Sequence, residues 1–162
     1  MVCEDEAGFF AVLLPGKKIP SYTLIYWDGD GNQMEHYDPY AYPMQFTEQE
    51  QKQFENGICY SIYEKLGAHP VKIDGISGVY FAVWAPNAIR VSVVGNFNNW
   101  DGRAYQMNLL ESGIYELFIP GVRAGDIYKY EIKAKGGLTY LKSDPYANCL
   151  LYTSPSPRDR SL

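Results

Sequence analysis

The chain has 162 residues, a formal net charge of −5 and 46% hydrophobic residues. This length fits one ordinary domain or two small ones, and the acidic balance argues against a nucleic-acid-binding surface. The hydrophobic fraction allows a packed core, and fifteen tyrosines are typical of strand-rich structure and of surfaces that face sugars.

The first residues and the cysteines indicate a cytoplasmic protein. Glu4, Asp5 and Glu6 precede the longest apolar run, residues 9–14, which is too short to span a bilayer. A secretory leader would be positively charged before such a run, so no signal peptide is predicted. Three cysteines at irregular spacing argue against a disulfide framework. We expect no membrane partner.

An internal repeat runs through the chain. Residues 8–16 resemble residues 113–121, which lie 105 positions later, and both stretches end in Pro-Gly. The Asp-Pro-Tyr-Ala sequence at residues 38–41 recurs at residues 144–147, 106 positions later. A one-residue difference in the loop after Pro-Gly reconciles the two spacings. The sequence therefore predicts one and a half copies of a module.

The first copy begins midway through the module and lacks its early strands. We place this partial module at residues 1–45. The repeat predicts that the chain is truncated at both ends. The tail predicts that the natural part ends near Asn148. Residues 149–162 resemble the translation of a sequencing adapter, so we expect a non-native tail there.

Residues 28–32, Asp-Gly-Asp-Gly-Asn, begin like a calcium-binding loop. Gln33 stands where that loop needs Gly, and Pro39 stands where it needs the closing Glu. A hairpin turn fits the sequence better. His36 and His69 have no partner at ligand spacing. We expect neither a metal nor another cofactor.

A short connecting helix is predicted between the two copies. Thr47 and Glu50 form a capping box, and the residues that follow are good helix formers. Asn56 and Gly57 provide a C-terminal stop. We place this helical connector at residues 46–62. The next apolar stretch fits either a second helix or a strand.

From residue 78 onward, short runs of β-branched and aromatic residues alternate with Pro, Gly and Asn turn signals. The runs predicted as strands are residues 79–84, 89–94, 114–119 and 127–132. Short strands at this spacing are typical of a β-sandwich. The pattern indicates an all-β module that occupies residues 63–148.

Several motifs in this region carry a family resemblance. They are Tyr-Glu-Lys-Leu-Gly-Ala-His-Pro at 63–70, Phe-Ala-Val-Trp-Ala-Pro-Asn-Ala at 81–88, Gly-Asn-Phe-Asn-Asn-Trp-Asp-Gly at 95–102, and Tyr-Lys-Tyr-Glu-Ile at 128–132. In this order they resemble the N-terminal region of glycogen branching enzymes. Several occur singly in isoamylases and pullulanases, whereas the full set is typical of branching enzymes. One departure is Asn96, where that family usually has Asp, and both are good turn residues.

The resemblance implies a family 48 carbohydrate-binding module with an immunoglobulin-like, early-set β-sandwich, preceded by a partial copy of itself. Branching enzymes transfer an α-1,4-linked glucan segment to a 6-hydroxyl, with a carboxylate nucleophile and an acid/base partner. In that family the chemistry lies in a (β/α)₈ barrel, which needs roughly 250 residues. The resemblance thus implies an inactive, non-catalytic part of a glycosyltransferase of the α-amylase family. Its partners would be α-1,4-glucan or glycogen and the parent's catalytic barrel.

The candidate glucan-binding residues are Trp100, Asn98, Lys129 and Tyr140. An indole ring can stack on the apolar face of a sugar, while polar neighbours bond its hydroxyls. Trp100 and Lys129 match sugar-contacting residues in the related glycogen-binding domain of a kinase β-subunit. A second stacking Trp of that domain is absent here, and Leu138 or Tyr140 occupies its neighbourhood.

Alternatives remain open for these aromatic residues and for the function. Trp100 suits a plug at the end of the sandwich as well as a sugar platform. Trp84 ends an apolar strand before Pro86, so we predict a core position for it. The module either binds glucan, or braces the catalytic barrel without affinity for sugar, or serves as a free-standing glycogen sensor.

Overall fold

The computed structural model of the protein describes residues 2–5, 9–13, 15–16 and 22–147. The chain divides into two compact units, Met1–His36 and Tyr37–Leu162. Within the described ranges no helix has both the length and the apolar character needed to cross a membrane. The tail predicted at residues 149–162 lies outside the described residues.

The described residues of the first unit form two antiparallel strand pairs. Strand β1 (Val2–Asp5) pairs with β2 (Phe9–Ala11), and the register shifts within β1. Strand β3 (Leu24–Trp27) pairs with β4 (Gln33–His36) in an unbroken register.

The turn between β3 and β4 is the segment that begins like a calcium loop. Asp28 Oδ1 accepts hydrogen bonds from the backbone N–H groups of Asp30 and Asn32, each at 2.9 Å. The carboxylate therefore closes a hairpin turn, as predicted from the sequence. No group of His, Cys, Asp and Glu in the described part of the chain could hold a metal ion.

The second unit is a sandwich of two antiparallel sheets. Its strands are β5 (Gly67–Ile73), β6 (Ile76–Trp84), β7 (Ala88–Gly95), β8 (Asn108–Leu109), β9 (Ile114–Pro120), β10 (Tyr128–Ala134) and β11 (Thr139–Lys142). One sheet has the order β5-β6-β9-β8 and the other has the order β11-β10-β7. All four strands predicted from the sequence are present, and the all-β, immunoglobulin-like sandwich is confirmed.

The core lies between the sheets and is built from alternate residues of the central strands. Its members include Val79, Phe81, Val83, Val91, Val93, Tyr115, Leu117, Ile119, Tyr130 and Ile132. Side chains in a strand alternate between faces, so each strand contributes every second residue. Full burial of one large apolar side chain contributes about 1.5–3 kcal/mol, so this layer stabilises the second unit.

Residues 37–66 cover the outer face of the four-stranded sheet. Helix α1 (Glu48–Glu55) begins at the predicted capping box of Thr47 and Glu50, which is confirmed. The apolar stretch that fitted either a helix or a strand forms a single turn of 3₁₀ helix, Ile62–Glu64. The buried side chains of this second core are Phe46, Leu66, Tyr80, Ala82, Leu110, Ile114 and Phe118. The predicted module boundaries at residues 45, 62 and 148 stay predictions.

Glu116 anchors this covering segment from the sheet. The residue is 1% exposed, and its carboxylate accepts hydrogen bonds from the backbone N–H groups of Gln45 and Phe46, each at 3.1 Å. The Tyr80 hydroxyl donates a third bond at 2.6 Å. Burial raises the pKa of Glu116, although its hydrogen-bond donors act in the opposite direction.

The core position predicted for Trp84 is wrong. Its side chain is 54% exposed, and its ring meets Phe54 edge-on with the ring centroids 5.9 Å apart. Because faces alternate along β6, Trp84 shares the outer face with Tyr80, whereas Val83 points into the core. Apolar residues of β6 pack alternately into the core between the sheets and onto the outer face, and a continuous apolar run in the sequence does not distinguish the two.

The two copies of the repeat fold into the same hairpin. Leu24 pairs with His36 as Tyr130 pairs with Lys142, and the three remaining residue pairs of the two hairpins also match. Because register decides which face every side chain occupies, this agreement is specific. The β3–β4 and β10–β11 hairpins therefore match, while the partial module at residues 1–45 stays a prediction.

The repeated Asp-Pro-Tyr-Ala turns also match. The backbone N–H of Tyr40 donates to Asp38 Oδ1 at 2.9 Å, and that of Tyr146 donates to Asp144 Oδ1 at 2.8 Å. Both aspartates thus cap the turn that follows them.

Candidate functional site

The turn that follows β7 carries Trp100 in a restrained backbone conformation. A short 3₁₀ helix, Asn96–Asn98, leads into Asn99 and Trp100, whose φ angles are 52° and 61°. Two successive non-glycine residues in the left-handed region cost on the order of 1–3 kcal/mol each. Such a turn persists only if its surroundings hold it in place.

The Asn98 amide provides part of that restraint. Asn98 Oδ1 accepts a bond of 2.9 Å from the Gly95 N–H, and Asn98 Nδ2 donates to the carbonyls of Val93 at 3.0 Å and Asp101 at 3.2 Å. Both amide hydrogens are thus used within the turn. Asn98 shapes the site, and its direct contact with a sugar stays a prediction.

The Trp100 indole is fixed but accessible. Its side chain is 38% exposed, and Nε1 donates to Asn96 Oδ1 at 3.1 Å. With its polar atom bonded to the protein, the ring system is oriented before any ligand arrives, which lowers the entropic cost of stacking. Sequence reasoning missed this role of Asn96. The one signal was its departure from the Asp that related sequences carry.

Lys129 lies at the same end of the sheet as the Trp100 turn. In the β10–β7 register it is opposite Val94, the residue before Gly95, where the turn begins. Its neighbour Tyr130 belongs to the core, so Lys129 points to the outer face. The structure therefore brings Trp100, Asn98 and Lys129 to one end of the β7–β10 pair.

Tyr140 lies elsewhere. It is opposite Ile132 in the β10–β11 register, and directly opposed residues share a face of the sheet. Ile132 faces the core, so Tyr140 points to the face opposite that of Lys129, about 10 Å further along the strands. Leu138, the other residue considered there, is 67% exposed in the preceding turn. The structure does not join Tyr140 to the other three residues.

An exposed ion pair flanks the Trp100 turn. Asp101 Oδ2 accepts a bond of 2.7 Å from Arg103 Nη2, and the Arg103 side chain is 86% exposed. This hydrogen bonding lowers the pKa of Asp101 to about 2. The pair leaves both charged groups in contact with solvent, directly after Trp100 along the chain.

Comparison with known proteins gives both a family match and close relatives. The sequence profile of carbohydrate-binding module 48 (isoamylase N-terminal domain) matches residues 65–147. The chain is 49% identical to the 1,4-alpha-glucan branching enzyme GlgB of Synechococcus sp. (strain JA-3-3Ab), over 87% of this chain and 20% of the relative. It is 52% identical to GlgB of Cellvibrio japonicus, over 81% of this chain and 18% of the relative. The chain thus spans about a fifth of the length of these relatives.

Proposed function

We propose, from the premise that this chain belongs to the carbohydrate-binding module 48 family, that its sandwich binds α-1,4-glucan such as glycogen. The observation that carries the proposal is the Trp100 indole, exposed and held by Asn96 at the end of the β7–β10 pair where Lys129 also lies. The indole supplies an apolar platform for a glucose ring, and the Lys129 ammonium group donates to hydroxyl oxygens.

A single platform of this kind binds weakly. A stacked aromatic contributes about 0.5–1.5 kcal/mol beyond burial, so one glucose ring is held only loosely. A branched polymer offers many chain ends, and repeated encounters raise its apparent affinity above that of one site. We therefore expect polymer to be retained more strongly than short oligosaccharides.

The proposed role within a longer enzyme is accessory. The relatives that carry the similar sequence are named 1,4-alpha-glucan branching enzymes. In such an enzyme the module would hold glucan near a catalytic barrel that forms α-1,6 branches in glycogen biosynthesis, in the cytoplasm. The residues described here supply binding and orientation, and we expect no branching activity from this chain alone.

Electrophoresis in native gels with and without glycogen tests the proposal. We expect glycogen to retard the full chain and the Trp100→Ala variant to migrate as it does without polymer. Trp27→Ala is the matched control, because Trp27 is 63% exposed but lies in the first unit. It should be retarded like the unmodified chain.

Equal mobility of the unmodified chain in both gels would remove the binding proposal. A structural role would then take its place, in which the module braces a catalytic barrel. The exposed Trp84 on the outer face of the other sheet favours this second candidate, because large exposed aromatics are common where proteins meet.

A further inference from the structure

An ion pair lies on the outer face of the three-stranded sheet, beside the Trp100 turn. Glu131 of β10 stands opposite Ser92 of β7, and its carboxylate accepts a short hydrogen bond from Arg90 of the same neighbouring strand. The two charged side chains are 28% (Arg90) and 20% (Glu131) exposed, so the pair is largely shielded from water. Lys129 and Lys133 flank Glu131 on its own strand and share its face.

The backbone of the Trp100 turn rests on this carboxylate. Gly102 is buried, and a Cβ atom placed on it would lie 2.1 Å from Glu131 Oε1 and 2.6 Å from Oε2. Gly102 is not among the residues with positive φ, so its backbone conformation is open to any amino acid. Glycine is needed there for close approach alone.

The backbone on each side of Trp100 is therefore held by a contact with the sheet. The Asn98 amide holds the turn on one side, and the contact of Gly102 with Glu131 supports it on the other. Beyond Gly102 the chain returns to β7, where the Val93 N–H donates to the Tyr105 carbonyl at 2.9 Å. A shift of Gly102 would consequently be taken up by the residues between the anchors, which carry the indole.

We propose that Glu131 is a positioning residue for the glucan site, acting through Gly102 on the orientation of Trp100. Arg90 holds the carboxylate in place from the neighbouring strand. The inference rests on the proposed binding of glucan by Trp100 and deepens it, because it names a residue that sets the geometry of the platform without touching the sugar.

Substitution of glycine tests the contact. Gly102→Ala pushes a methyl group against the carboxylate, and we expect glycogen binding to weaken about tenfold, the size expected for loss of one stacked ring. Gly136→Ala is the matched control, because a Cβ there meets nothing within 4 Å and its backbone is not left-handed. It should bind glycogen like the unmodified chain.

A spectroscopic measurement separates positioning from general damage and needs no sugar. In a background with Trp27→Phe and Trp84→Phe, Trp100 is the sole tryptophan, and its near-ultraviolet circular dichroism reports how firmly the ring is held. We expect this band to shrink in Gly102→Ala and in Glu131→Gln, and to be unchanged in Gly136→Ala. Far-ultraviolet spectra should be the same for all variants.

The outcomes are distinguishable. Unchanged indole signal and unchanged binding in Gly102→Ala and Glu131→Gln would overturn the inference. If Gly102→Ala does not fold, Glu131→Gln decides, because it keeps the shape of the side chain and removes the charge. If the unmodified chain does not bind glycogen, the proposed function fails, while the indole signal still shows whether Glu131 positions Trp100.

Discussion

The hairpin of β3 and β4 and the hairpin of β10 and β11 share one register but differ in burial. Tyr26 in the first is 50% exposed, whereas Ile132, its counterpart 106 residues later, is 7% exposed. Strand β10 also pairs with β7 and packs on a second sheet, whereas β3 and β4 form a two-stranded sheet. Pairing is therefore set locally, and burial depends on the strands that lie alongside.

The turns of the two hairpins show the same independence from context. The N–H of Asp28 donates to the Asn32 carbonyl at 3.0 Å, and that of Ala134 donates to the Leu138 carbonyl at 2.9 Å. The glycines at the matching position, Gly31 and Gly137, have φ angles of 81° and 84°. The second turn achieves this without aspartate, so the left-handed glycine is what both turns require.

Asp144→Ala should lower the free energy of unfolding more than Glu116→Gln or Asp28→Ala. Asp144 is 3% exposed, and its Oδ2 accepts bonds from the hydroxyls of Tyr128 at 2.5 Å and Tyr130 at 3.2 Å. Its removal leaves two partly or fully buried hydroxyls without this acceptor, at about 1–3 kcal/mol each. We expect the free energy of unfolding of the second unit to fall by about 4 kcal/mol in urea titrations.

The first copy lacks one of these two hydroxyl donors, because Leu24 stands where the second copy has Tyr130. The doubly bonded aspartate thus belongs to the second copy's own core. A loss below about 1 kcal/mol would mean that the tyrosine hydroxyls find water instead, and that the two repeated turns are energetically alike.

Glu116→Gln should have an intermediate effect. The matching residue of the first copy is Ala11, so the buried carboxylate is specific to the second. The amide group of Gln would turn a donor toward a backbone N–H or toward the Tyr80 hydroxyl, and we expect a loss of about 2 kcal/mol by urea titration. Unchanged stability would indicate that residues 37–66 stay in place without this anchor.

The free energies of unfolding of the unmodified chain and of the Glu116→Gln variant, compared over a range of pH, isolate the contribution of the Glu116 carboxylate. Burial raises its pKa above the ordinary value of 4.5, so the folded state holds the proton more tightly than the unfolded state. The stabilisation that this proton provides is fully present below pH 4.5 and is lost as pH rises through the folded-state pKa. The stability lost on Glu116→Gln should therefore be smaller above the folded-state pKa of Glu116 than below pH 4.5. A loss of stability that does not vary with pH would contradict the raised pKa of Glu116.

Asp28→Ala should have the smallest and most local effect. The carboxylate supports the first hairpin turn through the amides of Asp30 and Asn32, but the second turn forms without such a group. We expect faster hydrogen exchange of the backbone amides of β3 and β4 and no change in the melting temperature of the second unit. Protection equal to that of the unmodified chain would show that Gly31 alone sets this turn.

The structure brings three of the four predicted glucan-binding residues to one end of a strand pair, and their binding of glucan stays a prediction. Trp100, Asn98 and Lys129 come together because motifs at the end of β7 and the start of β10 meet through strand pairing. Tyr140 is predicted with them because it lies near the position of a second stacking Trp in a related domain, whereas the alternation of faces puts it on the other side of the sheet. Glu131 and Gly102 were not identified, because their contact joins a strand to a loop that crosses over it.

The sequence by itself determined four strands of the sandwich, the hairpin turns and the helix cap, because each depends on neighbours a few residues apart. Tertiary structure decided which apolar residues are buried. Trp84 lies exposed on an outer face and Glu116 is buried on the same face, against what their residue types suggest. Burial depends on which distant segment covers a surface, and residues 37–66 cover only part of this one.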